Sequence, residues 1–283
     1  MTLPTSEPLW NERLCDPSGN RENKPRQLGK TMVIDKGLGI QAFEDFVISA
    51  GAHIDMIKIG FGTSPLYPTS ILMRKIELAK EHDILIYPGG TFLEIAVLQD
   101  AVDSYFDSVC QFGFNAIEVS DGTIELPRNL RSELITRGLD RGLRVNTEYG
   151  KKTWGSSIEI EELIETVHID SGLGADYITI EARESGVGVG IFDGEGKCMD
   201  AELDKIMSSI PSHNLLLWEA PLKDQQVRLI QELGTGVHLG NIPPHEVITL
   251  EAMRRGLRSD TLVLAQTMRE RKEIICKSIS SLA

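Results

Sequence analysis

From residue 31 onward the chain alternates short apolar, β-branched runs with longer stretches whose apolar residues recur every three or four positions. The short runs fall at 31–35, 54–60, 84–87, 116–120, 143–148, 177–181, 215–219 and 236–241. Each is of strand length and bounded by Gly, Pro, Asn or Asp, as buried parallel strands are. The longer stretches, among them 70–81, 130–141, 157–172 and 244–255, predict helices, and Ser157 with Glu161 and Glu162 marks the start of one of them. Eight strands alternating with eight helices over roughly 250 residues is the order and length of a (β/α)8 TIM barrel, an α/β fold built as one domain. Residues 29–260 are assigned to the barrel, 1–28 to an N-terminal extension packing onto it through Leu9 and Trp10, and 261–283 to a C-terminal helical tail.

In such barrels chemistry sits where the strands run into the βα loops. Polar residues collect there. Lys36 follows the first strand, Lys58 closes the second, and Glu118, Glu148, Glu181, Glu219 and Asn241 stand at or near the ends of strands four to eight. Side chains two apart share a strand face, so Glu118 with Ser120, Asn146 with Glu148, Thr179 with Glu181 and Leu239 with Asn241 are expected as same-face pairs. Any one of these glutamates could instead cap the following helix. Four at equivalent positions point to a carboxylate-lined mouth.

Charge and cysteine usage narrow the partners. Lys+Arg at 29 against Asp+Glu at 42 give a net charge of −13, unfavourable for a phosphate backbone or an anionic membrane. Cys15, Cys110, Cys198 and Cys276 form no C-x-x-C pair, against a zinc ribbon, a redox dithiol or a disulfide framework, and a reducing cytoplasm fits best. Residues 1–28 hold neither a signal-peptide core nor a spanning stretch.

Several motifs invite other readings. Gly37-Leu38-Gly39-Ile40-Gln41-Ala42 matches the dinucleotide pattern G-x-G-x-x-A, with Asp55 near the spacing of a ribose-binding acid. Asp55 stands at the start of its strand rather than the end, so a tight βα turn is the better reading. Residues 186–190, rich in glycine, suit either a lid or anion-approaching loop, or a surface hairpin turning at Asp193-Gly194. The six histidines show no metal spacing, and His238, inside a strand, reads as a structural hydrogen-bonding residue. There is no G-x-S-x-G nucleophile motif. A mouth with carboxylates and cations but no organic cofactor suits Mg²⁺ and an anionic substrate.

The stretches Asp35-Lys36-Gly37, Lys58-Ile-Gly-Phe-Gly-Thr-Ser64, Tyr87-Pro-Gly-Gly-Thr91 with Glu94, Glu118-Val-Ser-Asp-Gly-Thr123, Glu148-Tyr-Gly-Lys-Lys152, Glu181-Ala-Arg-Glu-Ser-Gly186, Glu219-Ala-Pro221, Gly240-Asn-Ile-Pro243 and Leu257-Arg-Ser-Asp260, in that order, resemble the phosphosulfolactate synthase family from about Lys24 to Leu262. The resemblance implies a (β/α)8 barrel that adds sulfite to phosphoenolpyruvate with Mg²⁺, an early step of one route to coenzyme M and a source of sulfolactate. Two departures stand out. Phe61 replaces a frequent Trp and keeps an apolar wall, while His238 in His238-Leu-Gly-Asn241 replaces an Asn and is expected to alter the polar floor of the pocket.

The implied chemistry sets three tasks. Mg²⁺ on the substrate carboxylate would take Glu148 and Glu181 as further ligands. Lys36, Lys58 and Arg183 would hold phosphate and sulfite, with Ser64, Ser185, Asn241 and the Gly186 and Gly240 backbones as further contacts. Lys152, from the family motif, would protonate C2, its pKa lowered by its neighbour Lys151. The resemblance also implies a homo-oligomer. Alternatives are a related barrel using another nucleophile or enol phosphate, and a non-catalytic binding homologue like a plant heat-stress relative of the family.

Overall fold

The computed structural model describes residues 10–267 and 269–270. Eight parallel strands form its centre: β1 (Thr31–Asp35), β2 (Met56–Ile59), β3 (Leu85–Pro88), β4 (Ala116–Val119), β5 (Arg144–Tyr149), β6 (Tyr177–Ile180), β7 (Leu216–Glu219) and β8 (His238–Ile242). Around them lie α2 (Ile40–Ala50), α3 (Thr69–Glu81), α4 (Gly90–Leu98), α5 (Val102–Phe112), α6 (Arg128–Asp140), α7 (Ile160–Leu173), α8 (Asp200–Ser209), α9 (Lys223–Leu233) and α10 (Val247–Arg255), after a short α1 (Glu12–Cys15). This is a (β/α)8 barrel, and all eight expected strands are present within a few residues of their expected bounds.

The strands are hydrogen-bonded in the order β3-β2-β1-β8-β7-β6-β5-β4, so the backbone ladder is continuous except between β3 and β4. A side chain stitches that seam. Asn115, just before β4, accepts the Ile86 N–H at 2.7 Å through Oδ1 and donates through Nδ2 to the Ile84 carbonyl at 3.1 Å. One amide thus supplies the donor and acceptor that a ladder would have provided.

Burial explains the apolar runs. Outward residues such as Val33, Ile57, Ile117, Val145 and Ile178 join the helices in one large core, whereas Met32, Met56, Tyr87, Ala116 and Leu217 fill the barrel interior. Above this interior plug the inward positions become polar, which is where the strand-end residues gather. Alternation fails once. Leu239 packs in the outer core while Asn241 lines the mouth, because Asn241 takes φ +53° and turns its side chain inward.

The underside is closed by the chain segment before β1. Arg21 pairs with Glu251 of α10 at 2.8 Å, Arg26 with Asp55 at 3.2 Å, and Lys24 donates to the Gly51 and His82 carbonyls. Trp10, by contrast, is 71% exposed and does not anchor the extension; Leu9 lies outside the described residues. Asp55 accepts the Thr31 N–H at 2.9 Å on this underside, which removes it from any ribose site. His238 is here too rather than in the pocket floor. Its Nδ1 accepts the Lys30 N–H and its Nε2 meets the Asn214 carbonyl, and burial with the nearby Arg254 charge brings its pKa down to about 4, so it is a neutral structural group.

Other local expectations resolve similarly. Asp35 Oδ1 accepts the N–H groups of Gly37 and Leu38, so the dinucleotide-like stretch is a turn that carries its own carboxylate. Ser157 does not cap α7; the cap position is Glu159, with Glu161 and Glu162 in the first turn. Residues 262–267 are helical, and the rest of the expected tail beyond residue 270 lies outside the described residues.

Candidate active site

At the C-terminal ends of the strands a cavity of about 360 Å³ opens, lined by residues of the βα loops and by the last inward side chains of the strands. Its floor is an ion cluster. Lys58 on β2, with 6% of its side chain exposed, places Nζ 3.2 Å from Glu118 Oε1, 3.4 Å from Glu148 Oε2 and 2.9 Å from Glu219 Oε1. Burial alone would lower the Lys58 ammonium, but the three carboxylates outweigh it and hold its pKa well above the ordinary lysine range. The glutamates are themselves tethered: Glu118 Oε2 accepts the Gly90 N–H at the start of α4 at 2.8 Å, and Glu219 Oε2 the Ala182 N–H at 3.0 Å.

Lys152, in the loop after β5, forms the wall. Its ammonium lies 2.6 Å from Glu148 Oε1, 3.3 Å from Glu181 Oε2 and 3.7 Å from Glu94 Oε1. Burial opposes the charge, yet these carboxylates raise the Lys152 pKa. The expected depression by Lys151 does not occur, because Lys151 turns away to the Asp121 carbonyl at 2.8 Å and the Glu125 carboxylate at 3.2 Å. Burial would raise Glu148, but Lys152 and Lys58 hold it well below the usual carboxylate range. Glu181 goes the other way, pushed up by burial and by the Glu148 and Glu219 charges, and Glu118 is pushed up to about 7 by burial against the pull of Lys58.

The expected residues Lys58, Glu148, Lys152, Glu181, Arg183 and Asn241 all line this one cavity. Lys36 is exposed at the end of β1 and Ser185 is exposed, and neither lines it. Ser64 is buried in a short 3₁₀ turn with its hydroxyl unbonded and does not line the cavity. Gly186 packs against Gln225, to which its carbonyl is bonded at 2.6 Å, and Gly240 faces Leu217 and Met32 inside the barrel, where a side chain would collide. The stretch 186–198 is a hairpin with a Phe192–Cys198 bridge and a turn built on Asp193, but its first arm is buried over the end of β6.

Three residues of the lining, Phe61, Arg183 and Asn241, have left-handed backbones, a conformation non-glycine residues adopt at a cost and which clusters at functional sites. For Arg183 a compensating bond is visible: its N–H donates to Glu181 Oε1 at 2.5 Å. The guanidinium donates to the Lys152 carbonyl at 3.3 Å and makes no ion pair among the described residues, so it is the lining cation left for an anionic ligand.

Sequence reasoning missed Glu94 as a site residue. Buried on α4, it accepts the Ser120 hydroxyl at 2.5 Å and the Thr123 and Ile124 N–H groups at 2.8 and 2.9 Å, fixing the loop after β4 against Lys152. It stands on a helix, off the strand-end pattern, and only its place after Tyr87-Pro-Gly-Gly-Thr91 marked it. Glu118 and Glu219, seen as mouth residues, prove to be the anchors of Lys58.

For a divalent cation the donor chemistry fits, although among the described residues no three acidic, imidazole or thiol side chains form a preformed cage. Glu181 Oε2 and Glu148 Oε1 are buried and share the Lys152 ammonium at 3.3 and 2.6 Å, so the two carboxylates converge on one cationic position. Two carboxylates with the remaining positions left to water and substrate oxygens is how Mg²⁺ is commonly bound.

Comparison with known proteins adds an independent line. Residues 19–260 match the family model described as (2R)-phospho-3-sulfolactate synthase. The chain is 40% identical over 244 residues to the phosphosulfolactate synthase of Methanothermobacter thermautotrophicus, covering 86% of this chain and 94% of that protein. It is 40% identical over 246 residues to that of Bacillus subtilis, covering 86% and 96%. Among solved structures, the YdjI aldolase of Escherichia coli K12 shares the fold with a TM-score of 0.54 at 11% identity, covering 87% of this chain and 88% of that one.

Proposed function

The chain belongs to the phosphosulfolactate synthase family, and from that membership we propose that it joins sulfite to phosphoenolpyruvate, with Mg²⁺, to give (2R)-3-sulfo-2-phospholactate. The sulfur lone pair forms the C–S bond at the methylene carbon, the double-bond electrons move toward the carboxylate, and C2 then takes one proton. Nothing leaves. The protein must therefore bind two anions together, tolerate charge building on a carboxylate, and hold one acid at C2.

The observation that carries this reading is Lys152 at the cavity wall, held at Glu148, whose other oxygen faces the buried Lys58. Lys152 is the acid; the carboxylates around it keep it protonated, and a cation placed on Glu148 and Glu181 would loosen that hold and bring its pKa back toward the operating pH. Arg183, free of carboxylate partners among the described residues, takes a phosphate or sulfite oxygen. Lys58 is spent on glutamates, so its part is to fix Glu118, Glu148 and Glu219 rather than to grip substrate directly.

Charge supports the metal. Five carboxyl groups line the cavity (Glu118, Glu148, Glu181, Glu184, Glu219) against three cations (Lys58, Lys152, Arg183); with Glu118 and Glu181 pushed toward their neutral forms these charges come close to balance, so two anionic substrates bring an excess of negative charge that an added cation would offset. Glu148 and Glu181 would hold Mg²⁺, which when bound supplies that charge at the substrate carboxylate. Incubation with phosphoenolpyruvate, sulfite and Mg²⁺, followed by mass detection of the adduct, tests the proposal; absence of the adduct overturns it.

A further inference from the structure

The loop that carries Lys152 is fastened on both sides. Toward β4, the Lys152 N–H donates to the Gly122 carbonyl at 3.0 Å. Toward β6, the Arg183 guanidinium donates to the Lys152 carbonyl, and the Gly155 N–H donates to the Gly188 carbonyl at 2.8 Å. Against the same Gly188 lies the ring of Trp154. A Cβ built on Gly188 would meet Trp154 Cε3, Cζ3 and Cη2 at 2.7, 2.7 and 2.8 Å, so the ring rests on a bare backbone, and a Cβ on Gly194 would meet Cζ2 at 3.5 Å. Gly188 also has φ +67°, so both its conformation and its missing side chain serve this contact.

Trp154 is 63% exposed and belongs to neither core cluster. Its packing therefore serves the two loops rather than the fold. Lysine carries a long, flexible stem whose ordering has an entropic cost, and a reacting group displaced by about 1 Å can lose about 100-fold in rate. A lysine used as an acid in a surface loop needs that loop held.

We propose that Trp154 is a positioning residue: clasped on Gly188, it fastens the β5 loop to the β6 loop and so fixes Lys152 at the wall of the cavity. The inference rests on the reading of Lys152 as the acid, and the two are separable by experiment. Trypsin cleavage after Lys151 and Lys152 in the native protein reports the clasp without any reference to catalysis. Trp154→Ala, and Gly188→Ala from the opposite side, should speed that cleavage at least severalfold, whereas Trp10→Ala, a distant exposed tryptophan, should leave it unchanged. Kinetics then report the positioning: kcat for adduct formation should fall about 10- to 100-fold in both clasp variants, with calorimetric phosphoenolpyruvate affinity retained and Trp154→Phe restoring most of the rate.

Unchanged cleavage in both Trp154→Ala and Gly188→Ala overturns the clasp. Faster cleavage with unchanged kcat, or kcat and phosphoenolpyruvate affinity falling together, overturns the positioning role. If the unaltered protein forms no adduct, the functional reading and the positioning of an acid fall together, and the proteolysis alone decides whether the loops are clasped.

Discussion

Lys58 and Lys152 face opposite oxygens of the single Glu148 carboxylate, Lys152 at 2.6 Å from Oε1 and Lys58 at 3.4 Å from Oε2. One ammonium is sealed in the floor and the other stands at the wall. Their roles should therefore separate on mutation.

Lys152→Ala should lower kcat by about 10²–10⁴, the scale of general acid catalysis, with phosphoenolpyruvate binding less affected, and should also lower thermal stability because the buried Glu148 and Glu181 lose a counter-charge. Lys151→Ala should have little effect on kcat, because Lys151 engages Asp121 and Glu125 instead. Steady-state kinetics with calorimetric binding check both, and near-normal turnover in Lys152→Ala would move the acid role elsewhere.

Lys58→Met should act first on stability. It strips the counter-charge from three buried carboxylates, and breaking a buried ion pair from one side costs about 3–5 kcal/mol. Urea denaturation measures this loss; a change under 1 kcal/mol would mean the cluster is well hydrated.

Glu251 should give the fold an acid-sensitive hinge. Burial opposes its ionisation, but Arg21, with His53 and Arg255, overcomes this and holds its pKa at about 2 against an ordinary 4.5. A folded value below the unfolded one means that the stabilisation is complete above pH 4.5 and drains away as pH falls toward 2, on the order of 3 kcal/mol in all. Glu251→Gln should lower the melting temperature at pH 7 and flatten its decline between about pH 4.5 and pH 2. A variant curve parallel to that of the unaltered protein would remove Glu251 from the account.

Chelation of Mg²⁺ with EDTA should abolish adduct formation, and added Mg²⁺ should restore it. Glu181→Gln should raise the Mg²⁺ concentration needed for half-maximal rate by about 10-fold or more, the scale seen even when only a partner of a metal ligand is lost. An unchanged Mg²⁺ dependence would take Glu181 out of the ligand set.

Much of this architecture is legible along the chain. β-branched runs of strand length at regular intervals place all eight strands, and residues at their ends point to the mouth. What the pattern cannot give is who meets whom across the barrel: Lys58 finds partners 60, 90 and 161 residues away, and only the closed cylinder brings them together. Lys58 consequently looks free for phosphate in the sequence and is fully engaged in the structure. Lys151 and Lys152 look alike as neighbours, yet opposite loop surroundings send one to Asp121 and the other to Glu148. Asn241 breaks the two-residue rule through one left-handed dihedral, which a period of two has no means of anticipating. Trp154 and Glu94 sit off the strands, where neither periodicity nor strand-end position speaks.

The underside of the barrel also bears on how the polypeptide assembles. Arg21 and Glu251 are 230 residues apart in sequence, and the β1–β8 edge closes over nearly the same span. Bringing such distant segments together carries some of the largest loop-closure entropy among the described contacts. A nascent chain can pair Arg26 with Asp55 early, but must carry Arg21 without Glu251 until its last βα unit is made. Arg21 thus ties closure of the lower end to completion of the chain: its carboxylate partner arrives only with α10, the last helix of the barrel.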